Sequence, residues 1–173
     1  FMKSQEFFEF QAPSIVPATA EGGAEVFQVE YFDKKAYLSQ SPQLYKQIVM
    51  TAFERVFSVN KIFRAEPSQT TRHLTEVVSL DAEMAFIESW KDVRDMIEPT
   101  VRFILMSIAT KCDRELKFLK VELPVMIEKT PTMSLTEAQE KIFAKKGRDP
   151  RGDKDLSSQD EVDICEIVKE ETG

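Results

Sequence analysis

Two long alternating stretches, residues 55–66 and 74–86, constrain most strongly what this chain can fold into. In an extended strand, successive side chains point to opposite sides. Phe57, Val59, Phe63 and Ala65 therefore fall on one face of the first stretch, and Ser58, Asn60, Ile62, Arg64 and Glu66 on the other. In the second, Val78, Leu80, Ala82, Met84 and Phe86 share a face, opposite Ser79, Asp81 and Glu83. Joined by the polar loop Pro67 to Arg72, the two runs predict an antiparallel pair. One side packs on a core and the other forms a charged floor carrying Arg64, Asp81 and Glu83.

The remaining elements follow from local signals. Phe1 to Phe10 carries apolar residues at helix-like intervals with no capping residue ahead of them, so the protein is expected to start earlier. Ser14 to Val16 reads as a short strand, and Ala18 to Glu25, with Gly22-Gly23 inside it, as a loop. Phe27 to Phe32 and Ala36 to Gln40 read as a hairpin around Asp33-Lys34-Lys35. Ser41-Pro42 opens a helix to about Ala52, with the serine as cap and the proline in the first turn. Ser89 with Asp92 starts a second helix, in which Val93, Met96, Ile97, Val101, Ile104, Leu105 and Ile108 form an apolar stripe that can back the sheet. Ser134 with Glu137 caps a third helix ending near Gly147, and Ser157 with Asp160 a fourth. The fold class expected is α+β, an antiparallel sheet flanked by helices.

Composition narrows the function. A length of 173 residues suits one domain. A net charge of −7 argues against a broad grip on phosphate backbones, so any nucleic-acid contact is local. Cys112 and Cys165 stand far apart, with His73 as the one histidine, which excludes a structural zinc site and predicts reduced thiols in a cytoplasmic protein. No apolar run approaches the roughly 18 residues that would cross a bilayer, so no membrane partner is expected. Arg151-Gly152-Asp153 matches an adhesion triplet, but a reduced cytoplasmic protein has no use for one.

The chemistry lies in three segments. Phe63-Arg64-Ala65-Glu66, a loop, and His73-Leu74-Thr75-Glu76 place an arginine at the end of a strand, with a second strand returning beside it. A planar guanidinium on a rigid strand can stabilise charge growing on phosphate oxygens through two directed hydrogen bonds. A lone strand arginine is more often a surface or ion-pair residue; the neighbouring segments override that reading. Gln40-Ser41-Pro42-Gln43-Leu44-Tyr45-Lys46-Gln47 puts Gln43, Lys46 and Gln47 on one side of a helix, where an amide and an ammonium can meet a carboxylate. The alternative there is an ordinary solvated face. Glu21-Gly22-Gly23-Ala24 has two glycines that free its backbone, and alone it would be an unremarkable turn.

Together these segments resemble the class II aspartyl-tRNA synthetases, of the archaeal and eukaryotic cytosolic type. The run from Phe63 to Glu76 is similar to motif 2, Gln40 to Gln47 to the aspartate signature, Glu21 to Ala24 to the flipping loop, and Pro13 to the motif 1 proline of the dimer interface. The resemblance implies ATP and Mg2+ as cosubstrate and cofactor, aspartate and the tRNA(Asp) acceptor end as partners, and a homodimer. It also implies Arg64 as the catalytic α-phosphate arginine, with Glu66, Arg72, His73 and Val77 around ATP. Glu21, Ser41, Gln43, Lys46 and Asp81 would then surround aspartate, with Glu83 in the floor.

Asparaginyl-tRNA synthetases resemble this region with a serine in place of Pro42 and without a lysine at position 46, and a neutral amide would leave the buried Lys46 ammonium unpaired, so aspartate is expected over asparagine. Val77 stands where many members of the family place an aromatic residue on adenine. Motif 3, with its arginine and magnesium-holding acids, and the anticodon-binding barrel are not in this chain. Residues 1–173 are accordingly expected to be part of a catalytic domain, inactive alone and with no metal ligands of their own. The rival expectations are an asparaginyl-tRNA synthetase or asparagine-forming paralogue, and a non-catalytic synthetase-like interaction module.

Overall fold

A computed structural model describes residues 1–19, 26–66, 74–125, 127 and 130–172. The chain forms two compact units, Phe1–Leu123 and Pro124–Gly173. In the first, a 3-10 turn at Met2–Gln5 precedes β1 (Phe8–Glu9), β2 (Ile15–Val16), β3 (Gln28–Tyr31), β4 (Lys34–Leu38), α1 (Gln43–Met50), β5 (Arg55–Phe63), β6 (Glu76–Met84), α2 (Trp90–Lys111) and α3 (Asp113–Leu119). The strands make two three-stranded sheets, ordered β1-β5-β6 and β2-β4-β3.

The long strand pair is antiparallel as its alternation requires, with Phe57 opposite Ala82, Ser58 opposite Asp81, Asn60 opposite Ser79 and Ile62 opposite Val77. One pairing departs from the all-antiparallel expectation: β1 runs parallel to β5, Phe8 against Val56. The same segment overturns the N-terminal helix. Glu6 adopts a left-handed φ of 64° that stops the turn after four residues, Phe7 is buried, and the Phe10 N–H donates to the Phe57 carbonyl at 3.0 Å. A helix through residues 1–10 would forgo those sheet bonds and the burial of Phe7.

Met2, Phe7 and Phe57 form the core beneath this sheet, joined by Phe1, Met84 and Met96. Met96 brings α2 to this cluster, but α2 has no buried residue, and Val93, Ile97, Val101 and Ile104 of the stripe expected to back the sheet are exposed. The cover reaches only the Phe57 end: Val59, Val78 and Leu80, expected in the core, are 44%, 61% and 44% exposed. Ile62, expected on the polar face, is buried. α2 starts at the anticipated capping box, in which Ser89 and Asp92 satisfy each other's backbone amides. The hairpin turn comes one residue earlier than read. Tyr31 pairs with Lys34, leaving Phe32-Asp33 as a two-residue loop with Phe32 at φ 54°. α3, set off from α2 by Cys112, has no counterpart in the sequence signals.

The second unit contains α4 (Leu135–Lys146) and α5 (Ser158–Thr172). Ser134 and Glu137 form the expected capping box, and Gly147 closes α4 at φ 70°, the left-handed conformation that favours glycine. Ala138, Ile142 and Ile167 are buried in this helical pair. Arg148 bridges Asp160 and Asp163 of α5. Arg151 pairs with Asp149 and lies 3.6 Å over the Phe143 ring, so the arginine of the adhesion-like triplet is engaged within its own unit. Among the described residues, no helix is long and apolar enough to cross a membrane.

Candidate active site

The site is built where the end of β4 meets the end of β5. The Ser39 N–H donates to the Ser14 carbonyl and the Ser39 carbonyl accepts from the Phe63 N–H, each at 2.9 Å. The Ser39 hydroxyl donates to the Ser41 carbonyl at 2.8 Å, which closes the turn into α1. Pro42, rather than Ser41, occupies the cap position. Its carbonyl accepts the Lys46 N–H at 2.9 Å, while the Ser41 hydroxyl accepts from the Gln43 N–H at 3.3 Å. These bonds fix the rotation of α1 over the floor of β5 and β6.

That rotation buries Lys46, leaves Gln43 half-buried and turns Gln47 to solvent. Gln47 is thus separated from the residues with which the sequence grouped it. The Lys46 Nζ lies 2.5 Å from Asp81 Oδ1 and 2.9 Å from Glu83 Oε2. The two carboxylates come from alternate residues of β6 and so point to the same side. Burial works against the ammonium, but its hydrogen bonds and charge interactions with Asp81 and Glu83 outweigh that cost and hold the Lys46 pKa above the ordinary lysine value. An ammonium has three donors, and two are used here.

Toward the other end of the floor, Val77 faces Ile62 across the strands. The Arg64 N–H donates to the Thr75 carbonyl at 3.0 Å, carrying the ladder one step beyond β5. Arg64 is exposed and Glu66 half-buried. Arg64 stands six residues from Ser58, roughly 20 Å along an extended strand, and its long side chain can reach back over part of that distance. A buried cation held by two carboxylates and an exposed guanidinium therefore mark two ends of one floor. Glu21, Arg72 and His73, with the flipping loop and the motif 2 loop, lie outside the described residues.

The floor also holds two residues that the sequence reading placed on this face without assigning them a role. The Ser58 Oγ and the Asn60 Nδ2 are buried without hydrogen-bond partners among the described residues. Their alternation with Phe57 and Val59 was the signal that could have singled them out.

Comparison with known proteins decides the family. The family described as tRNA synthetases class II (D, K and N) matches residues 1–172. The chain belongs to this family. It is 42% identical over its whole length to the aspartate–tRNA(Asp/Asn) ligase of Archaeoglobus fulgidus, of which it covers 39%. It is 38% identical, again over its whole length, to the aspartate–tRNA(Asp) ligase of Pyrococcus abyssi, covering 40% of that protein. Among solved structures, the asparaginyl-tRNA synthetase of Pyrococcus horikoshii in complex with asparaginyl-adenylate superposes with a TM-score of 0.84 at 32% identity, over 96% of this chain and 38% of that one.

The class II synthetase family and its α+β fold are thus as the three segments implied, and the chain spans about two fifths of the length of these relatives. The segment that resembles motif 2 spans the end of β5 and the start of β6, and the aspartate-like signature runs from the β4–α1 turn through most of α1.

Proposed function

We propose that this chain supplies part of the catalytic domain of an aspartate–tRNA ligase, which activates aspartate with ATP to aspartyl-adenylate and transfers it to the 3' end of tRNA(Asp). The observation that carries this reading is Lys46, fixed by Asp81 and Glu83 on the same strand face that leads to Arg64. In this reading the third donor of Lys46, with Gln43 and Ser41 beside it, receives the side-chain carboxylate of aspartate. Asp81 and Glu21 receive its ammonium group. Val77, beside the buried Ile62, offers an apolar surface to adenine, with Glu66, Arg72 and His73 around the nucleotide. Arg64 stabilises charge on the α-phosphate as the substrate's own ionised α-carboxylate attacks it, so positioning and electrostatics supply the rate without a general base.

Magnesium bound with ATP would neutralise phosphate charge. Among the described residues no group of three or more His, Cys, Asp or Glu is gathered to hold a metal ion, so no step here is assigned to one. A cytoplasmic homodimer assembled through the region of Pro13 completes the proposal.

One observation favours a second reading, with asparagine as the activated amino acid. Lys46 is already paired within the protein, so an amide ligand would not strand an unpaired ammonium, as the sequence argument supposed. Discrimination would instead rest on the third donor, which meets a full negative charge on a carboxylate and only a dipole on a neutral amide. Pyrophosphate exchange by the full-length protein, driven by aspartate or by asparagine, tests the two readings. Exchange driven by aspartate is expected, and exchange with asparagine alone would overturn the proposal.

A further inference from the structure

Ser58 is fully buried, and its Oγ has no hydrogen-bond partner among the described residues. It stands directly opposite Asp81, whereas Glu83 is opposite Val56, a residue without a side-chain donor. Cross-strand partners bring their Cβ atoms to roughly 5 Å, and diagonal neighbours lie roughly 7–8 Å apart. Ser58 therefore sits beside Asp81 and diagonal to Glu83 on one face, two residues along the strand from Asn60, whose Nδ2 is similarly unpartnered among the described residues. A buried hydroxyl left without a bond costs about 1–3 kcal/mol in general, so its presence beneath the only cation on these two carboxylates among the described residues calls for a function.

We infer that Ser58, assisted by Asn60, is a reserve donor that supplements Lys46 on Asp81 when the third donor of Lys46 engages the substrate carboxylate. In the structure Asp81 leans on Lys46. As the ammonium shares its charge with a third carboxylate, Asp81 would lose part of its compensation in a place only partly open to solvent. A rotation of the Ser58 hydroxyl about its Cα–Cβ bond, with the Asn60 amide completing the row, adds a hydrogen bond to Asp81. Asp81 then keeps its orientation toward the substrate ammonium. Ser58 is thus a positioning residue, acting through Asp81 and Lys46 rather than on the reacting atoms.

This inference rests on the proposed aspartate activation, and its test separates the two. In the full-length protein, Ser58→Ala removes an unsatisfied hydroxyl, so thermal stability should be unchanged or raised. The KM for aspartate in pyrophosphate exchange should rise about tenfold, as expected for a lost hydrogen bond to a charged group, while the KM for ATP stays the same. Asn60→Ala should raise the aspartate KM in the same direction and by less. An aspartate KM within about twofold of the parent would overturn the inference while leaving the function standing. So would a fall in melting temperature with both KM values rising together, which is the mark of a packing role. A parent protein with no aspartate-dependent exchange would overturn both.

Discussion

Lys46 Nζ on α1 and Asp81 Oδ1 on β6 lie 2.5 Å apart, and this bond, with its companion to Glu83 at 2.9 Å, ties the helix of the aspartate-like signature to the strand floor of motif 2. Lys46→Leu removes the only cation set against the two carboxylates among the described residues. Their side chains are 20% and 25% exposed, so solvent offsets part of the penalty, and the expected loss of stability is about 1–3 kcal/mol. The same variant should weaken aspartate use far more than ATP binding. Urea unfolding and the two KM values measure these effects, and equal loss for both substrates would count against the assigned role.

The pH dependence of that contact has a definite sign. The folded-state pKa of Lys46 is raised above its ordinary value of 10.5. The stability it lends is fully present below 10.5 and is lost as pH rises through the higher folded value. The parent protein should therefore lose its advantage over Lys46→Leu as pH rises above 10.5. Urea midpoints of the two proteins across that range provide the comparison; a gap that stays constant would show that the ammonium is not the source of the difference.

Arg64 lies beyond the end of β5 and is exposed, and its described hydrogen bond is made by the backbone N–H rather than the guanidinium. Arg64→Ala should accordingly leave the melting temperature within a degree or two (a surface change of about ±0.5 kcal/mol). Exchange should fall by a factor on the order of 10²–10³ whichever amino acid drives it. A loss confined to aspartate would place Arg64 in amino-acid recognition instead of on the phosphate.

The contrast between Lys46 and Val59 shows how far sequence reasoning reaches. Alternation in β5 and β6 assigns faces correctly, because side-chain direction in a strand is set by the backbone alone. It brings Arg64, Asp81 and Glu83 to one side, and motif resemblance adds Lys46. Which face is covered depends on distant segments: Phe7 and Met96 shield the Phe57 end, while Val59 and Leu80 remain exposed. The pairing of Lys46 is likewise tertiary. It depends on the rotation of α1, set by the Ser39 and Ser41 bonds, and neither helical period nor composition contains that angle. Capping boxes at Ser89 and Ser134 were legible because donor and acceptor lie three residues apart. The parallel contact of Phe8 with Val56 joins residues far apart in the chain and left no local trace.

The helical pair α4–α5 carries an acid-sensitive lock. Asp160 is held below the ordinary carboxylate range by the Ser157 hydroxyl and backbone N–H and by the Arg148 guanidinium. Asp163 is held below it by Arg148 and by the Gln159 amide. For carboxylates with depressed folded values, the stability gained is fully present above the unfolded value of 3.8 and is lost as pH falls through the folded values. Arg148→Met deletes the shared cation while keeping a side chain able to cover apolar surface. The variant should be less stable than the parent at neutral pH, and the gap should narrow as pH falls below 3.8, since the parent surrenders on protonation what the variant never had. Far-UV circular dichroism during urea titration, at about pH 7 and about pH 3, resolves this comparison. A gap of equal size at both pH values would mean that Arg148 acts through packing alone and that the two aspartates do not depend on its charge.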